Sequence, residues 1–302
     1  MNILVYLPGI LGDVVASSAF VQLLHREYPD ARIDVITNAQ NASILKFLPF
    51  VFHSFRYSDK EYKGKAGVVR FGKKISAYQI YDIAFNLDIS FNSYIMLFFT
   101  GAKVRVGFKN FFGKPFLTHA VKRPVKYKQS ELYKYLFEKF TGRSISEIEP
   151  VLKIPDVFAK PTIKAPIYVM LYLGDNKQQE TIPERWLYEL SNYILHKYPA
   201  FSLIVSGSGI KKQNCMGLME KMIAPERVYL LDSEKNLTEL VRTIYYSSVL
   251  ICPLCDITVI AKALNIRTIV FPDNKVIRNT GNHIRNNNDI NEIVSALHVY
   301  FN

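Results

Sequence analysis

Cysteine is scarce in this 302-residue chain. The three present, at 215, 252 and 255, are an odd and sparse set, which excludes a disulfide framework and suits a reducing, cytoplasmic setting. The six histidines are scattered, none with partners at ligand spacing, so a metal centre has no support in the sequence. No apolar run reaches bilayer-spanning length; the patch from Ile95 to Phe99 is far too short. Met1-Asn2 leads directly into a strand pattern, so no secretory signal is expected. A full G-x-G-x-x-G is also missing. Gly9-Ile10-Leu11-Gly12 only approaches it, and Asp34 sits inside a strand pattern rather than beyond its end, which argues against nicotinamide redox chemistry. Cys252-Pro253-Leu254-Cys255 has the spacing of a redox dithiol, but no thioredoxin-sized unit surrounds it, so buried structural thiols are expected.

What the chain has in excess is positive charge, and the excess is one-sided. Residues 1–160 hold 23 Lys+Arg against 13 Asp+Glu, a balance of +10, while residues 161–302 hold 15 against 13, only +2. Between Lys103 and Lys128 there are eight basic residues and no acidic one, interleaved with Phe108, Phe111, Phe112, Phe116 and Tyr127. Such a stretch suits an anionic partner: a phosphorylated glycolipid, an anionic membrane face or nucleic acid. No recognition-helix or RNA-binding signature accompanies it, so nucleic acid is not expected.

Length implies two domains, and the patterning supplies both. Strand signals at Ile3 to Leu7, Arg32 to Thr37, Val51 to Phe55, Tyr81 to Leu87 and Val104 to Gly107 alternate with helix signals at Ala16 to Tyr28, Ala39 to Leu48, Phe91 to Phe99 and Gln129 to Thr141. The basic, glycine-containing Lys60 to Lys74 reads as a mobile surface loop. Ile154 to Pro166 holds three prolines in thirteen residues and reads as a linker. The alternation then restarts, with strands at Ile167 to Leu173, Phe201 to Val205, Val228 to Leu231, Val249 to Cys252 and Thr268 to Phe271. Helices are expected at Pro183 to Lys197, Lys211 to Ile223, Asn236 to Tyr246, around Asp256 to Leu264 and at Asp289 to Tyr300. The expectation is α/β, with two parallel sheets flanked by helices, boundaries of 1–158 and 159–302, and a ligand in the cleft between them.

The stretch that organises the chain is its first twenty residues. A buried strand, a break at Pro8-Gly9 and a helix opening at Gly12-Asp13 form the start of a βα unit. Asp13 is its only charge, at the sheet edge where open α/β folds put their ligands. It reads either as a helix cap or first-turn carboxylate, or as a catalytic base.

Asn2 to Pro29, with Gly12-Asp13-Val14 and the helix end Arg26-Glu27-Tyr28-Pro29, resembles the opening of the bacterial lipopolysaccharide heptosyltransferases, glycosyltransferase family 9. Tyr81-Asp82 through Asn86-Leu87, Arg105-Val106-Gly107-Phe108, Pro183-Glu184-Arg185-Trp186, the turn at Gly207 to Gly209 and the run from Asn236 to Phe271-Pro272 keep the family's order and spacing over nearly the whole chain. The resemblance implies a GT-B fold of two Rossmann-like domains, the first binding the acceptor and the second a nucleotide-sugar, with the last helix packing back on the first domain. It implies an inverting transferase without metal or other cofactor, peripheral to the cytoplasmic face of the inner membrane, acting on a lipopolysaccharide or lipooligosaccharide core. Asp13 falls on the general base. The acceptor side would include Gly9, Gly12, Lys103, Arg105 and Lys109. The donor side would include Gly174, Lys177, Thr181, Gly207, Gly209, Lys211, Asp256 and Thr258.

Two departures leave the donor sugar open, heptose or another. Glu180-Thr181-Ile182-Pro183 has no basic residue where the family usually has one, with Lys177 the nearest substitute. Where the family carries N-D-[ST]-G-x-x-H, Leu254 replaces the Asp, Asp256 the Gly and Val259 the His. A non-catalytic protein that binds anionic glycolipid or nucleotide is the alternative.

Overall fold

The structure, a computed structural model, describes residues 1–125, 127–158, 165, 167–174, 184–207, 215–217, 219, 221–232, 236–271, 283–284 and 290–301. The chain divides into two compact units, Met1–Lys153 and Ile154–Asn302. The first therefore ends a few residues before the expected position 158. Asp156–Phe158 forms a short turn in the second unit, where the Phe158 carbonyl accepts from the Tyr246 hydroxyl at 3.4 Å and the Phe158 ring lies under the Arg242 guanidinium.

In the first unit the strands are β1 (Asn2–Tyr6), β2 (Arg32–Asn38), β3 (His53–Tyr57), β4 (Ile83–Asn86), β5 (Val104–Lys109) and β6 (His119–Lys122). They form one parallel sheet in the order β3-β2-β1-β4-β5-β6. The helices are α1 (Leu11–Ala16), α2 (Ser18–Glu27), α3 (Gly64–Tyr78), α4 (Phe91–Phe99) and α5 (Gln129–Thr141). Alternation along the strands feeds both faces. Leu4 and Ala84 pack with Val68, Phe71 and Ile75 of α3 and Met96 of α4. On the other face Phe20 of α2 meets Phe85, Tyr133 and Phe137 edge-on at 5.1–6.5 Å.

Three local expectations are corrected. The segment 60–74 is largely helical, because Val68, Phe71 and Ile75 form an apolar stripe at helical spacing and its glycines serve packing. A Cβ on Gly67 would lie 2.2 Å from the Tyr62 carbonyl carbon, and one on Gly72 would lie 2.8 Å from the Met96 oxygen of α4. Ala39–Phe47 is 3₁₀ rather than α-helical, capped by the Asn38 side chain accepting from the Gln40 amide. The helix that opens at Gly12-Asp13 closes at Ala16 as α1, so the helix expected at Ala16 to Tyr28 is a separate one, α2, which begins after Ser17.

The second unit repeats the plan. Strands β7 (Tyr168–Tyr172), β8 (Ser202–Ser206), β9 (Val228–Leu231), β10 (Val249–Pro253), β11 (Thr268–Phe271) and β12 (His283–Ile284) form a parallel sheet in the order β12-β11-β10-β7-β8-β9. Counted from its own first strand, this is the same order as in the first unit, the doubly wound Rossmann arrangement. Its helices include α6 (Glu184–Lys197), α7 (Leu237–Tyr246), α8 (Asp256–Ala263) and α9 (Ile290–Phe301). In the last helix, α9, Ile293 and Leu297 join the core of this unit, and His298 hydrogen-bonds the hydroxyls of Tyr193 and Tyr198. Among the described residues no helix is long and apolar enough to cross a membrane.

Candidate functional site

In a doubly wound sheet the crevice for a ligand opens at the carboxyl ends of the two strands where the order reverses. In the first unit these are β1 and β4. The chain leaves β1 through Pro8-Gly9 and enters α1, whose N-cap is Ile10, and Asp13 stands in its first turn. Asp13 is therefore not a cap, and its half-buried side chain sits where aligned backbone N–H dipoles favour negative charge. The entry loop is pinned, because the Asn41 amide donates to the Gly9 carbonyl at 2.7 Å. Gly9 is exposed with open space around its α-carbon, whereas Gly12 is buried in α1. At the end of β4, buried Asn86 donates to Ser93 at 2.9 Å, and just beyond it Asp88 accepts from the Ile89 amide and the Ser90 hydroxyl.

Sequence reasoning passed over one residue here. Tyr133 of α5 is 1% exposed, and its hydroxyl has no hydrogen-bond partner among the described residues. Burial first, then the charges of Asp13 and Asp88, push its pKa well above the ordinary phenol value, while nearby Arg123 opposes them. The signal was a lone hydroxyl on the apolar stripe Leu132, Tyr133, Leu136, Phe137; a buried hydroxyl normally finds a partner.

The three basic residues expected on the acceptor side separate. Lys109 ends β5 at the same sheet edge as Asp13, exposed, and its register partner is Lys122 of β6, with Arg123 next in the chain. Lys103 precedes β5 and is at the opposite edge, about 20 Å away at strand rise, where it pairs with Asp82 at 2.8 Å. Arg105 is committed elsewhere: its guanidinium donates to the carbonyls of Phe116 at 2.8 Å and Ala102 at 2.7 Å and lies over the Phe98 ring. Burial lowers its pKa. In Arg105-Val106-Gly107-Phe108, then, the arginine ties the following segment down, and Gly107 admits Asn86 and Leu117, each 3.2 Å from where a Cβ would lie. Arg105→Lys, which cannot reach both carbonyls, is expected to lower stability by about 1–2 kcal/mol in urea denaturation while leaving donor KM unchanged.

In the second unit the order reverses between β7 and β10. Gly174, just past β7, is buried with φ of +95°, a left-handed conformation that favours glycine. Gly207 follows β8 and is also buried. Asp256 is the first residue of α8, directly beyond β10, and the Thr258 hydroxyl turns back onto the Cys255 carbonyl at 2.6 Å. Lys177, Thr181, Gly209 and Lys211 lie outside the described residues. Cys252 is fully buried, with its thiol pushed far above the ordinary range by burial and by Cys255, and burial pushes Cys215 up to about 12. Such thiols are poor nucleophiles. Among the described residues no three His, Cys, Asp or Glu side chains are grouped to hold a metal ion.

The sequence profile of glycosyltransferase family 9 (heptosyltransferase) matches residues 68–270. The chain belongs to glycosyltransferase family 9. Solved structures of this kind share its fold over nearly their whole length. Escherichia coli ADP-heptose lipopolysaccharide heptosyltransferase II is 17% identical with a TM-score of 0.79, covering 99% of this chain and 98% of that one. A family 9 glycosyltransferase from Veillonella parvula is 12% identical at 0.85, covering 99% and 96%. E. coli heptosyltransferase WaaC with ADP is 15% identical at 0.82, covering 99% and 100%. No curated protein matches the chain in sequence. The family 9 protein is thus a glycosyltransferase with the GT-B fold. Its matched segment runs from α3 to β11, so Asp13 lies outside it and stands on its own placement.

Proposed function

We infer that this family 9 enzyme transfers a sugar, heptose or another activated sugar, from a nucleotide-sugar to the core of a lipopolysaccharide or lipooligosaccharide. Transfer inverts the anomeric carbon without a metal, at the cytoplasmic face of the inner membrane. The observation that carries this reading is Asp13 in the first turn of α1 at the β1/β4 switch. There a carboxylate can take the proton of an acceptor hydroxyl as its oxygen attacks the anomeric carbon. The bond from that carbon to the diphosphate breaks, and its electron pair leaves with the nucleoside diphosphate. Charge on the leaving group needs stabilisation by basic side chains and backbone N–H groups. Gly174, where backbone approaches without a Cβ, and Gly207 line the β7 and β8 ends on the donor side. Lys109, with Lys122 and Arg123 alongside, suits the phosphates of the core acceptor. WaaC has been solved with ADP and with ADP-2-deoxy-2-fluoro heptose, which supports an ADP-sugar as the first donor to try.

Tyr133 acts on Asp13 as a positioning residue, its otherwise orphaned hydroxyl donating to the carboxylate once the acceptor is bound. Removing an orphaned buried hydroxyl costs nothing and stabilises by up to about 1 kcal/mol. Tyr133→Phe is therefore expected to melt no lower than wild type, while kcat falls about tenfold and KM holds. A variant with unchanged kcat has lost only a structural hydroxyl, and the assignment fails. For the function itself, the test is thermal stabilisation across a panel of ADP-, UDP- and GDP-sugars, followed by transfer to purified core acceptors. Stabilisation without transfer from any donor would mean a binding protein and overturn the reading.

A further inference from the structure

The turn that follows β5 carries an exposed aromatic tip that the proposed reaction does not use. Phe111 is 90% exposed and Phe112 63%. They stack edge-on at 5.2 Å, and the ring series continues from Phe112 to Phe91 at 6.0 Å, Phe91 to Phe116 at 6.0 Å and Phe116 to Phe98 at 5.8 Å. Phe91 and Phe98 are also exposed. Single exposed apolar residues are ordinary, but a contiguous patch marks a contact surface.

The tip is held out by its frame. The Asn110 side chain donates to the Ile89 carbonyl at 3.0 Å and accepts from the Gly113 amide at 2.6 Å. Beneath it the Tyr94 hydroxyl donates to the Phe108 carbonyl at 2.7 Å. Gly113 sits so close to Tyr94 that a Cβ would fall 2.3 Å from its ring. The turn therefore cannot fold its phenylalanines inward without breaking these bonds.

Charge selects the occupant. Lys109 and Lys114 flank the two rings in sequence and are exposed, the Lys65 ammonium is 5.3 Å from the centre of Phe91, and no acidic residue occurs from 103 to 128. Aromatic side chains ringed by cations match the boundary between anionic headgroups and acyl chains. Two copies pairing through the same surface would bring these cations together. We propose that the Phe111-Phe112 turn is a wedge that docks the first unit on an anionic lipid bilayer. The turn leaves β5 at the sheet edge that carries Asp13, so docking would hold that edge at the headgroup layer where a lipid-linked acceptor lies. This last step rests on the function proposed above; the docking itself does not.

The test is co-sedimentation of the full chain, without donor or acceptor, on phosphatidylcholine vesicles with and without phosphatidylglycerol. Wild type is expected on the anionic vesicles only, with binding weakened by salt. Phe111→Ser/Phe112→Ser is expected to lower that binding at least about tenfold with an unchanged melting temperature. It should also keep wild-type transfer to a delipidated core oligosaccharide and lose transfer to acceptor embedded in vesicles. Equal binding to both vesicle types, or a double variant that binds as wild type, overturns the proposal. So does wild-type dimerisation that the double variant abolishes. Vesicle binding without transfer to any acceptor would leave docking standing and sink the proposed function alone.

Discussion

Asp13→Asn is expected to lower the rate of sugar transfer about a thousandfold, the middle of the range for a lost general base, while nucleotide-sugar binding and melting temperature stay near wild type. Asparagine keeps the size of the side chain and its place in the first turn of α1. What it loses is an oxygen basic enough to take the acceptor's proton. If Asp13 served only the electrostatics of α1, the same change would cost about 0.3–1 kcal/mol of stability and leave transfer alone. The two roles thus predict opposite patterns, one moving kcat and the other moving stability. Initial rates with saturating donor and thermal stabilisation by the same donor separate them, and a variant with full activity ends the base assignment. Donor binding is the necessary control because the proposed donor side belongs to the other unit.

The alternation of buried strands with amphipathic helices was enough to read two parallel α/β units, because strands covered on both faces leave continuous apolar runs such as Ile3 to Leu7 and Ile167 to Leu173. Glycine concealed α3. Gly64, Gly67 and Gly72 look like loop residues in sequence, and only the approach of Tyr62 and of the α4 backbone shows why a helix there needs two of them. The strand β6 was hidden for a different reason: it is a four-residue edge strand with no buried residue, inside the most basic stretch of the chain. The placement of candidate site residues was legible where it depends on backbone position. Asp13 and Gly174 fall beyond β1 and β7, and Asp256 beyond β10, at the two points where strand order reverses. It was illegible where side-chain direction decides. Lys103, Arg105 and Lys109 are a single basic cluster in sequence, yet they stand at one edge, in the strand and at the other edge of the sheet. Tyr133 could not be separated from its apolar neighbours until its hydroxyl proved to lack a partner among the described residues.

The second large effect concerns a carboxylate that the reaction does not use. Asp34 is fully buried in the third position of β2, with one oxygen accepting from Arg32 Nε at 3.1 Å and the other from the Tyr81 hydroxyl at 2.7 Å. Its burial within the strand rules it out as a ligand for a bound ribose. Arg32 is three-quarters buried, lies 4.1 Å from the Phe52 ring centre and also donates to the Tyr78 hydroxyl. The pair closes the amino edge of the sheet, away from Asp13. Arg32→Met keeps much of the packing but leaves a buried charge with one neutral donor, a change expected to cost about 3 kcal/mol. For a unit of this size that is a fall of about 10 °C in melting temperature. Adding Asp34→Asn removes the stranded charge while keeping an oxygen for Tyr81, so Arg32→Met/Asp34→Asn should recover at least half of the loss. Melting of the two single variants and the double variant measures the coupling directly. An Arg32→Met protein within about 1 kcal/mol of wild type would mean that the Asp34 carboxylate does not need its cation. Because the pair is remote from the β1/β4 carboxyl ends, kcat below the melting transition should be unchanged in all three.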